Sequence, residues 1–417
     1  MFQPGDTGAK FPDMMRNVIG TAGRLFGEAH PGADETTFQV DNTSEAYYHS
    51  PYYRLHKNQL QPVPSLRTRP PRICLADVAD TAFVDNIIQA GKIVFHAVGD
   101  TGAAKSSGPV TEARVADLMA ADVSAGGPLA PAFFFHLGDV VYHFGEGQFY
   151  YDQFYEPFRA YDRPIFAIPG NHDGMVFGAK VDVPKIPTLQ AFLRNFCAAA
   201  PGPSPDAGGL VRSVMTQPGV YFTLDAPFVS IIGLYSNVLE GPGVISSEGG
   251  KYPVPDGQLN FLAAELVRLK PLRQAGERAV ILAVHHPPLS VDGKSGGTKG
   301  LSDDIDTACQ RAGLWPDAVL SGHAHLYQRF TRQVNGRHIP YVVSGSGGFA
   351  ATPPRPGVPP APVTVGDVTL VKDPVVAFGY LTVTTDAKML TITFRSSNPN
   401  IAPDSVTVDL QRGVIKK

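Results

Sequence analysis

Six side chains of this sequence could share one piece of chemistry: Asp100, Asp139, Asn171, His285, His323 and His325. They offer oxygen and imidazole donors and no thiolate. Such a set suits zinc, iron or manganese and is unlike a cysteine-rich structural zinc site. Six donors exceed what one tetrahedral ion takes. They suffice for two ions that share a carboxylate, and two ions ~3.5–4 Å apart are the usual machinery of in-line phosphoryl hydrolysis. Taken singly, each residue has a blander reading. An aspartate after a strand is more often a turn residue or a helix N-cap than a ligand. Only the ensemble favours the metal.

The elements that must position these residues are visible as a repeated pattern. Residues 93–98 are apolar and lead into Gly99-Asp100-Thr101-Gly102; residues 133–137 lead into Gly138-Asp139-Val140-Val141-Tyr142. Residues 165–168, 280–284 and 318–320 lead into Gly170-Asn171-His172-Asp173, His285-His286-Pro287 and Gly322-His323-Ala324-His325. Runs this short and apolar predict buried strands. Helical spacing appears between them, notably over 258–270 (Leu259, Leu262, Leu266 and Leu269 on one face) and 303–312. Strands alternating with helices indicate an α/β layer fold, in which ligands gather beyond the carboxyl ends of strands. All five polar clusters stand where that rule places a site. Gly99, Gly138, Gly170 and Gly322 are expected to supply the sharp turns that aim the following side chains.

Read in order, GDTG, GDVVY, GNHD, VHHPP and GHAH resemble the calcineurin-like metallophosphoesterase superfamily. The superfamily reads Asp-x-His or Asp-x-Gly, Gly-Asp-x-x, Gly-Asn-His-Asp/Glu, a strand ending in His, and Gly-His-x-His. One such motif is weak, but five in order over roughly half the chain are specific. Within the superfamily the chain is most similar to the purple acid phosphatases. Gly102 stands where most members have a ligand histidine, and that group replaces it by a tyrosine three residues after the second aspartate, the position of Tyr142. The run Gly322–Arg329 resembles the group's Gly-His-x-His-x-Tyr-Glu-Arg and departs from it at Gln328.

The resemblance implies a four-layer α/β sandwich, two mixed β-sheets flanked by helices. It implies that Asp139 bridges two metal ions, that Asp100, Tyr142 and His325 complete one site, and that Asn171, His285 and His323 complete the other. Tyr142 makes the first site oxygen-rich and suited to Fe(III), leaving a divalent ion (Zn, Mn or Fe) for the second. His172 is expected to contact the phosphate and protonate the leaving oxygen, and Asp173 to orient His172. A hydroxide activated by the metals is then expected to attack phosphorus in line. His286 adjoins a ligand and either lines the pocket or points away, as strand alternation predicts. The function implied is hydrolysis of a small phosphomonoester. The alternative is a phosphodiesterase on a small diester such as a cyclic nucleotide or a glycerophosphodiester, and a catalytically silent scaffold is the third possibility.

The rest of the sequence bounds this reading. Its 417 residues suit one large domain with extensions: an N-terminal arm over 1–88, a catalytic domain over 89–352, and a Pro-rich linker with C-terminal strands over 353–417. The arm carries Tyr47, Tyr48, Tyr52 and Tyr53 and is read as wrapping the main domain, with a substrate lid as the alternative. Gly and Pro make up about a fifth of the chain, against an average of about 12%, which predicts long loops. A net charge of −3 gives no footprint for nucleic acid. Cys74, Cys197 and Cys309 are far apart and odd in number, so they read as isolated thiols. No apolar run reaches the ~18 residues of a membrane span. No basic segment followed by an apolar one opens the chain, so a cytoplasmic location is expected, or a periplasmic or secreted one if a leader had been removed. His96 and His136 lie inside apolar strands and are read as satisfied core histidines, and His143 as a loop residue. Lys294 and Lys299 sit in a Gly-rich loop over 292–300 and are read as solvated, with contact to substrate anions as the alternative.

Overall fold

A computed structural model describes residues 38–56, 62–102, 110–142, 144–174, 189–238 and 243–416. Residues 1–37 and 57–61 of the expected arm, the side chain of Tyr52, His143 and residues 239–242 lie outside the described residues.

Two sheets carry the fold. The first contains β2 (Lys92–Val98), β3 (Phe134–His136) and β4 (Ile165–Ala167), all parallel. Four antiparallel strands extend it from β2: β13 (Gly379–Asp386), β14 (Met389–Ser396), β15 (Asp404–Asp409) and β16 (Val414–Ile415). The second sheet has the order β1-β5-β6-β7-β8-β10-β9-β12-β11. Its strands are β1 (Arg72–Cys74), β5 (Phe222–Ala226), β6 (Val229–Leu234), β7 (Ala279–Val284), β8 (Ala318–Ser321), β9 (Tyr327–Val334), β10 (Arg337–Ser344), β11 (Val363–Val365) and β12 (Val368–Leu370). Strands β6, β7, β8 and β10 are mutually parallel, whereas β9 pairs antiparallel with β10.

The period-two rule explains how the sheets stack. Ile93, Phe95 and Ala97 of β2 and Ile281 and Ala283 of β7 meet in one buried cluster between the sheets, with Phe133, Phe135, Leu381 and Val383. The alternate residues face outward. Val280, Leu282 and Val284 pack under Leu259, Leu262, Leu266 and Leu269 of the helix Gly257–Gln274, and under Leu301, Ile305 and Ala308 of the helix Lys299–Ala312. Each fully buried leucine of such a face contributes about 1.5–3 kcal/mol. On the other side Val98 and Phe134 pack with Val115, Ala116 and Met119 of the helix Val110–Ser124. Helix, sheet, sheet, helix is the four-layer sandwich expected.

His96 and His136 occupy outward-facing positions of β2 and β3 and are satisfied there. His96 bonds Asp122 and Tyr161, each at 3.2 Å. His136 accepts the Gly138 N–H at Nδ1 (3.1 Å), and its Nε2 lies 3.0 Å from the Thr101 hydroxyl. His136 thereby stitches together the two turns that carry Asp100 and Asp139. The three cysteines are unpaired, Cys74 exposed and the other two buried. Among the described residues no helix is long and apolar enough to cross a membrane.

The described part of the N-terminal segment is tied to loops of the second sheet. Val40 N–H donates to Gly297 O (2.7 Å), Ser290 N–H to Phe38 O (2.9 Å), and the Asn42 side chain bonds Glu248 and Gly300 N–H. Tyr47, Tyr48 and Tyr53 form an aromatic cluster, and Tyr48 and Tyr53 also meet Tyr252.

Candidate metal centre

Because β2, β3 and β4 are parallel to one another, and β6, β7 and β8 likewise, the residues after their carboxyl ends converge on one seam between the sheets. Asp100, Asp139 and Asn171 enter from the first sheet, His285, His323 and His325 from the second. All six are buried apart from the His323 side, which is partly open.

The turns are built differently from expectation. Among the four glycines, only Gly138 has a left-handed backbone (φ 96°); at the Gly99-Asp100 and Gly322-His323 turns the left-handed residue is the candidate ligand itself, and at Gly170-Asn171 neither residue is left-handed. Asp100 (φ 59°), Asp139 (φ 55°) and His323 (φ 66°) all occupy that region, which costs a non-glycine residue about 1–2 kcal/mol. Such strain at three candidate ligands is what a functional site stores. Glycine is needed at 170 for proximity instead: a Cβ there would meet Asp139 Oδ1 at 2.1 Å and the Asp139 nitrogen at 2.4 Å.

The donors fall into two groups. In one, the Tyr142 hydroxyl lies 3.1 Å from Asp100 Oδ1 and 3.1 Å from Asp139 Oδ2, and His325 Nε2 lies 3.2 Å from Asp100 Oδ1. In the other, Asn171 Oδ1 lies 3.0 Å from His285 Nε2 and 2.9 Å from His323 Nδ1, and His285 Nε2 lies 3.4 Å from Asp139 Oδ2. Asp139 belongs to both. Donors placed ~2.0–2.2 Å from a common cation stand about 3 Å apart, so these separations fit ligation of an ion by each group. Asp139, His285 and His323 also offer one ligand atom each within 4.8 Å of one another.

Electrostatics agree with a place for cations. Burial pushes the Asp139 carboxyl up, but the imidazoles of His285 and His172 outweigh it and hold it well below the usual range. Burial would lower His285, but the Asp139 and Asp100 carboxylates raise it to about 9. Burial, then His286 and His285, hold His323 well below its ordinary value. Burial and the same two carboxylates push the Tyr142 phenol far up. Two buried carboxylates with a phenol between them concentrate negative potential in an apolar seam, which a cation relieves.

Gly102 and Tyr142 are sterically linked. A Cβ on Gly102 would meet Tyr142 Cδ2 at 2.6 Å and Gln153 Oε1 at 2.6 Å. The tyrosine ring thus fills the room a side chain at 102 would need. It is stacked on Phe349 (centroids 3.5 Å apart, planes 2°) and lies 4.2 Å from the His172 ring. Gln153 clamps the Tyr142 backbone on both sides, at 2.9 and 2.8 Å.

The remaining expected residues are placed as follows. The backbone N–H of His172 donates to Asp139 Oδ1 (2.8 Å), which sets its ring beside Tyr142. Asp173, expected to orient His172, is engaged with the backbone of two turns. Its carboxylate accepts the N–H groups of Val140 (3.0 Å), Val141 (3.3 Å) and Gly170 (2.8 Å), so it locks the second and third turns together. The reason is geometric: those donors surround it, and burial with Asp139 nearby raises its pKa to about 7. His286 lines the centre on one side. Its Nδ1 bonds Ser236 Oγ (2.8 Å) and its ring lies 4.4 Å from that of His323. Ser236, Gln153 and Phe349 carry no motif. Only Phe349 had a readable hint, the Gly-rich stretch Gly345-Ser346-Gly347-Gly348 before it.

A cavity of about 1040 Å³, lined by Asp80, Arg163 and Arg212 among others at the amino end of β4, includes none of these groups. Residues 103–109, 143, 175–188 and 239–242, which directly follow Gly102, Tyr142, Gly174 and Val238, are outside the described residues.

Comparison with known proteins adds three findings. The family model described as calcineurin-like phosphoesterase matches residues 93–327. Among solved structures, the purple acid phosphatase PPD1 from yellow lupin (Lupinus luteus) seeds is similar with a TM-score of 0.53 at 17% identity. That match covers 76% of this chain and 54% of the lupin chain, so this chain spans about half of that enzyme's length. GAP50, the anchor in the inner membrane complex of Plasmodium, is similar with a TM-score of 0.54 at 13% identity, over 78% of this chain and 91% of that one. At such identities the likeness shows the fold alone. No curated protein matches the sequence.

Proposed function

This chain belongs to the calcineurin-like phosphoesterase family, and we propose that it is a two-metal hydrolase of small phosphoesters, acting first on phosphomonoesters in the manner of the purple acid phosphatases. The observation that carries this reading is the convergence of seven donors in two groups that share Asp139. A fold alone does not decide function, since one similar structure is described as an anchor. The retained donors, together with His172 beside them, favour an enzyme over a silent scaffold.

In this reading Asp100, Tyr142 and His325 would hold one ion, Asn171, His285 and His323 the other, and Asp139 would serve both. The anionic, oxygen-rich first group suits Fe(III), and the second a divalent ion (Zn, Mn or Fe). When bound, such a pair supplies Lewis acidity that activates water and neutralises phosphoryl oxygens. The chain's own residues do the rest. The His172 imidazole, fixed by its backbone bond to Asp139, gives a proton to the leaving oxygen. Asp173 keeps the Asp139 and Asn171 turns in register through its three backbone donors. His286, held by Ser236, walls the centre beside His323.

The test is a hydrolysis screen of metal-loaded protein against p-nitrophenyl phosphate and bis-p-nitrophenyl phosphate, with metal content measured. Faster turnover of the monoester by protein holding two ions per chain is expected. Preference for the diester would select the phosphodiesterase, and no turnover with both ions present would select the scaffold.

A further inference from the structure

The loop over residues 287–298 continues directly from His285-His286 and is held unusually firmly. Asp292, 2% exposed, accepts the backbone N–H groups of Lys294 (2.9 Å), Ser295 (2.7 Å) and Gly296 (2.9 Å) and the Ser290 hydroxyl (2.7 Å). Gln328 grips the same loop from β9, accepting the Val291 N–H (2.7 Å) and donating to Ser290 Oγ (2.8 Å). Two further bonds tie it to the candidate metal centre: Gly293 N–H donates to Pro353 O, and Thr352 N–H donates to His325 O, each at 3.0 Å. The residue that follows Gly293 is Lys294.

This lysine differs from its neighbour. Lys299 is taken up by Asp303 at 2.6 Å. Among the described residues the Lys294 ammonium has neither an ion-pair nor a hydrogen-bond partner, although the side chain is half-buried. Its charge reaches the centre as the weakest of the influences on His323, which burial, His286 and His285 lower and Asp139 opposes. A half-buried cation with no counter-charge among the described residues, on a loop braced by four bonds to one carboxylate, is pre-organised for an anion that arrives from outside.

We propose that Lys294 binds the phosphoryl group of the substrate and biases the centre towards dianionic phosphomonoesters over monoanionic diesters. The inference rests on the phosphoesterase reading above and deepens it. A monoester carries about −1.5 to −2 charges near neutral pH and a diester −1, so one fixed cation discriminates between them. One hydrogen bond to a charged group corresponds to roughly tenfold or more in affinity.

The experiment compares wild type, Lys294→Met and Lys294→Arg as full-length, metal-loaded protein, with metal content determined for each. It reads kcat and KM for p-nitrophenyl phosphate and bis-p-nitrophenyl phosphate, and calorimetric binding of inorganic phosphate. Lys294→Met is expected to raise the monoester KM and weaken phosphate binding by roughly tenfold, with a smaller change in the diester KM and little in kcat. Lys294→Arg is expected to restore most of the loss. Unchanged phosphate binding, an equal loss for both esters, or loss of metal from Lys294→Met would overturn the proposal. If wild type hydrolyses neither ester, the function reading fails instead, and the phosphate-binding comparison still decides whether Lys294 is an anion ligand.

Discussion

Removing the hydroxyl of Tyr142 separates its two expected roles, as packing residue and as anionic ligand. In Tyr142→Phe the ring keeps its stack on Phe349 at 3.5 Å and its contact with His172 at 4.2 Å, so buried apolar area is unchanged. What disappears is one oxygen, 3.1 Å from both Asp100 Oδ1 and Asp139 Oδ2. A phenol has one proton, so metal-free protein loses one charge-assisted bond, about 1.5–3 kcal/mol. Both carboxylates retain other donors: the His323 N–H at 2.7 Å for Asp100 and the His172 N–H at 2.8 Å for Asp139. The lower end, about 1.5 kcal/mol, is therefore expected, a fall of about 2 °C in the melting temperature of metal-free protein of this length. Iron-loaded wild type should show the visible charge-transfer band of an Fe(III)–phenolate pair, and the variant should bind less iron and lack the band. The assays are absorption spectra paired with elemental analysis, and melts in chelator. An iron-containing wild type without the band, or a Phe variant that keeps it, would refute ligation by Tyr142. The subgroup assignment would then fall, while the family stands on its five motifs.

Three further outcomes are expected. His172→Ala should keep its metals but lose ~10²–10⁴-fold in kcat on esters with poor leaving groups, and much less on p-nitrophenyl phosphate, as steady-state kinetics across a leaving-group series will show. Gly102→Ala places a Cβ 2.6 Å from both Tyr142 and Gln153; it should destabilise the protein by about 1–3 kcal/mol and shift any iron–phenolate band, read by denaturant titration and spectroscopy. Burial raises the Glu248 carboxyl to about 8, with the Tyr48 hydroxyl only partly offsetting it. An acid raised on folding adds stability that is full below its unfolded value, about 4.3, and is lost as pH rises through its folded value. Glu248→Gln removes that slope, so its melting temperature should gain on wild type between about pH 4 and 8, and parallel profiles in that window would count against it.

The sequence shows its centre more openly than its scaffold, for a physical reason. Parallel strands buried on both faces become unbroken apolar runs, and the chemistry is confined to the residues after them, so β2, β3, β4, β7 and β8 stand out with their clusters attached. Strand β6 is equally apolar, but it ends in Tyr235-Ser236-Asn237, which resembles no motif, and its support of His286 emerges only in three dimensions. The β9–β10 hairpin carries a local signal, Asn335-Gly336, both with positive φ (51° and 74°) between alternating residues. The helix Val110–Ser124 was marked by Val115, Met119 and Val123 at four-residue spacing. The work of Asp173 was not legible at all, because counting the backbone donors around a carboxylate requires the fold.

Gln328, the one departure within the last motif, shows where this chain has diverged. It is fully buried and uses both halves of its amide: the oxygen accepts the Val291 N–H and the nitrogen donates to Ser290 Oγ. A glutamate at this place could accept the first bond but, when ionised, could not donate the second, and its charge would be buried without a partner. The amide is therefore matched to this chain's own loop after His285-His286, the loop whose other brace is Asp292 and which carries Lys294. Among the described residues, both side-chain hydrogen bonds of Gln328 go to that loop and none to a candidate ligand. The difference at 328 is thus coupled to the loop that carries Lys294 and not to the candidate ligands. It follows that Gln328→Glu should act through the loop, altering KM more than metal content.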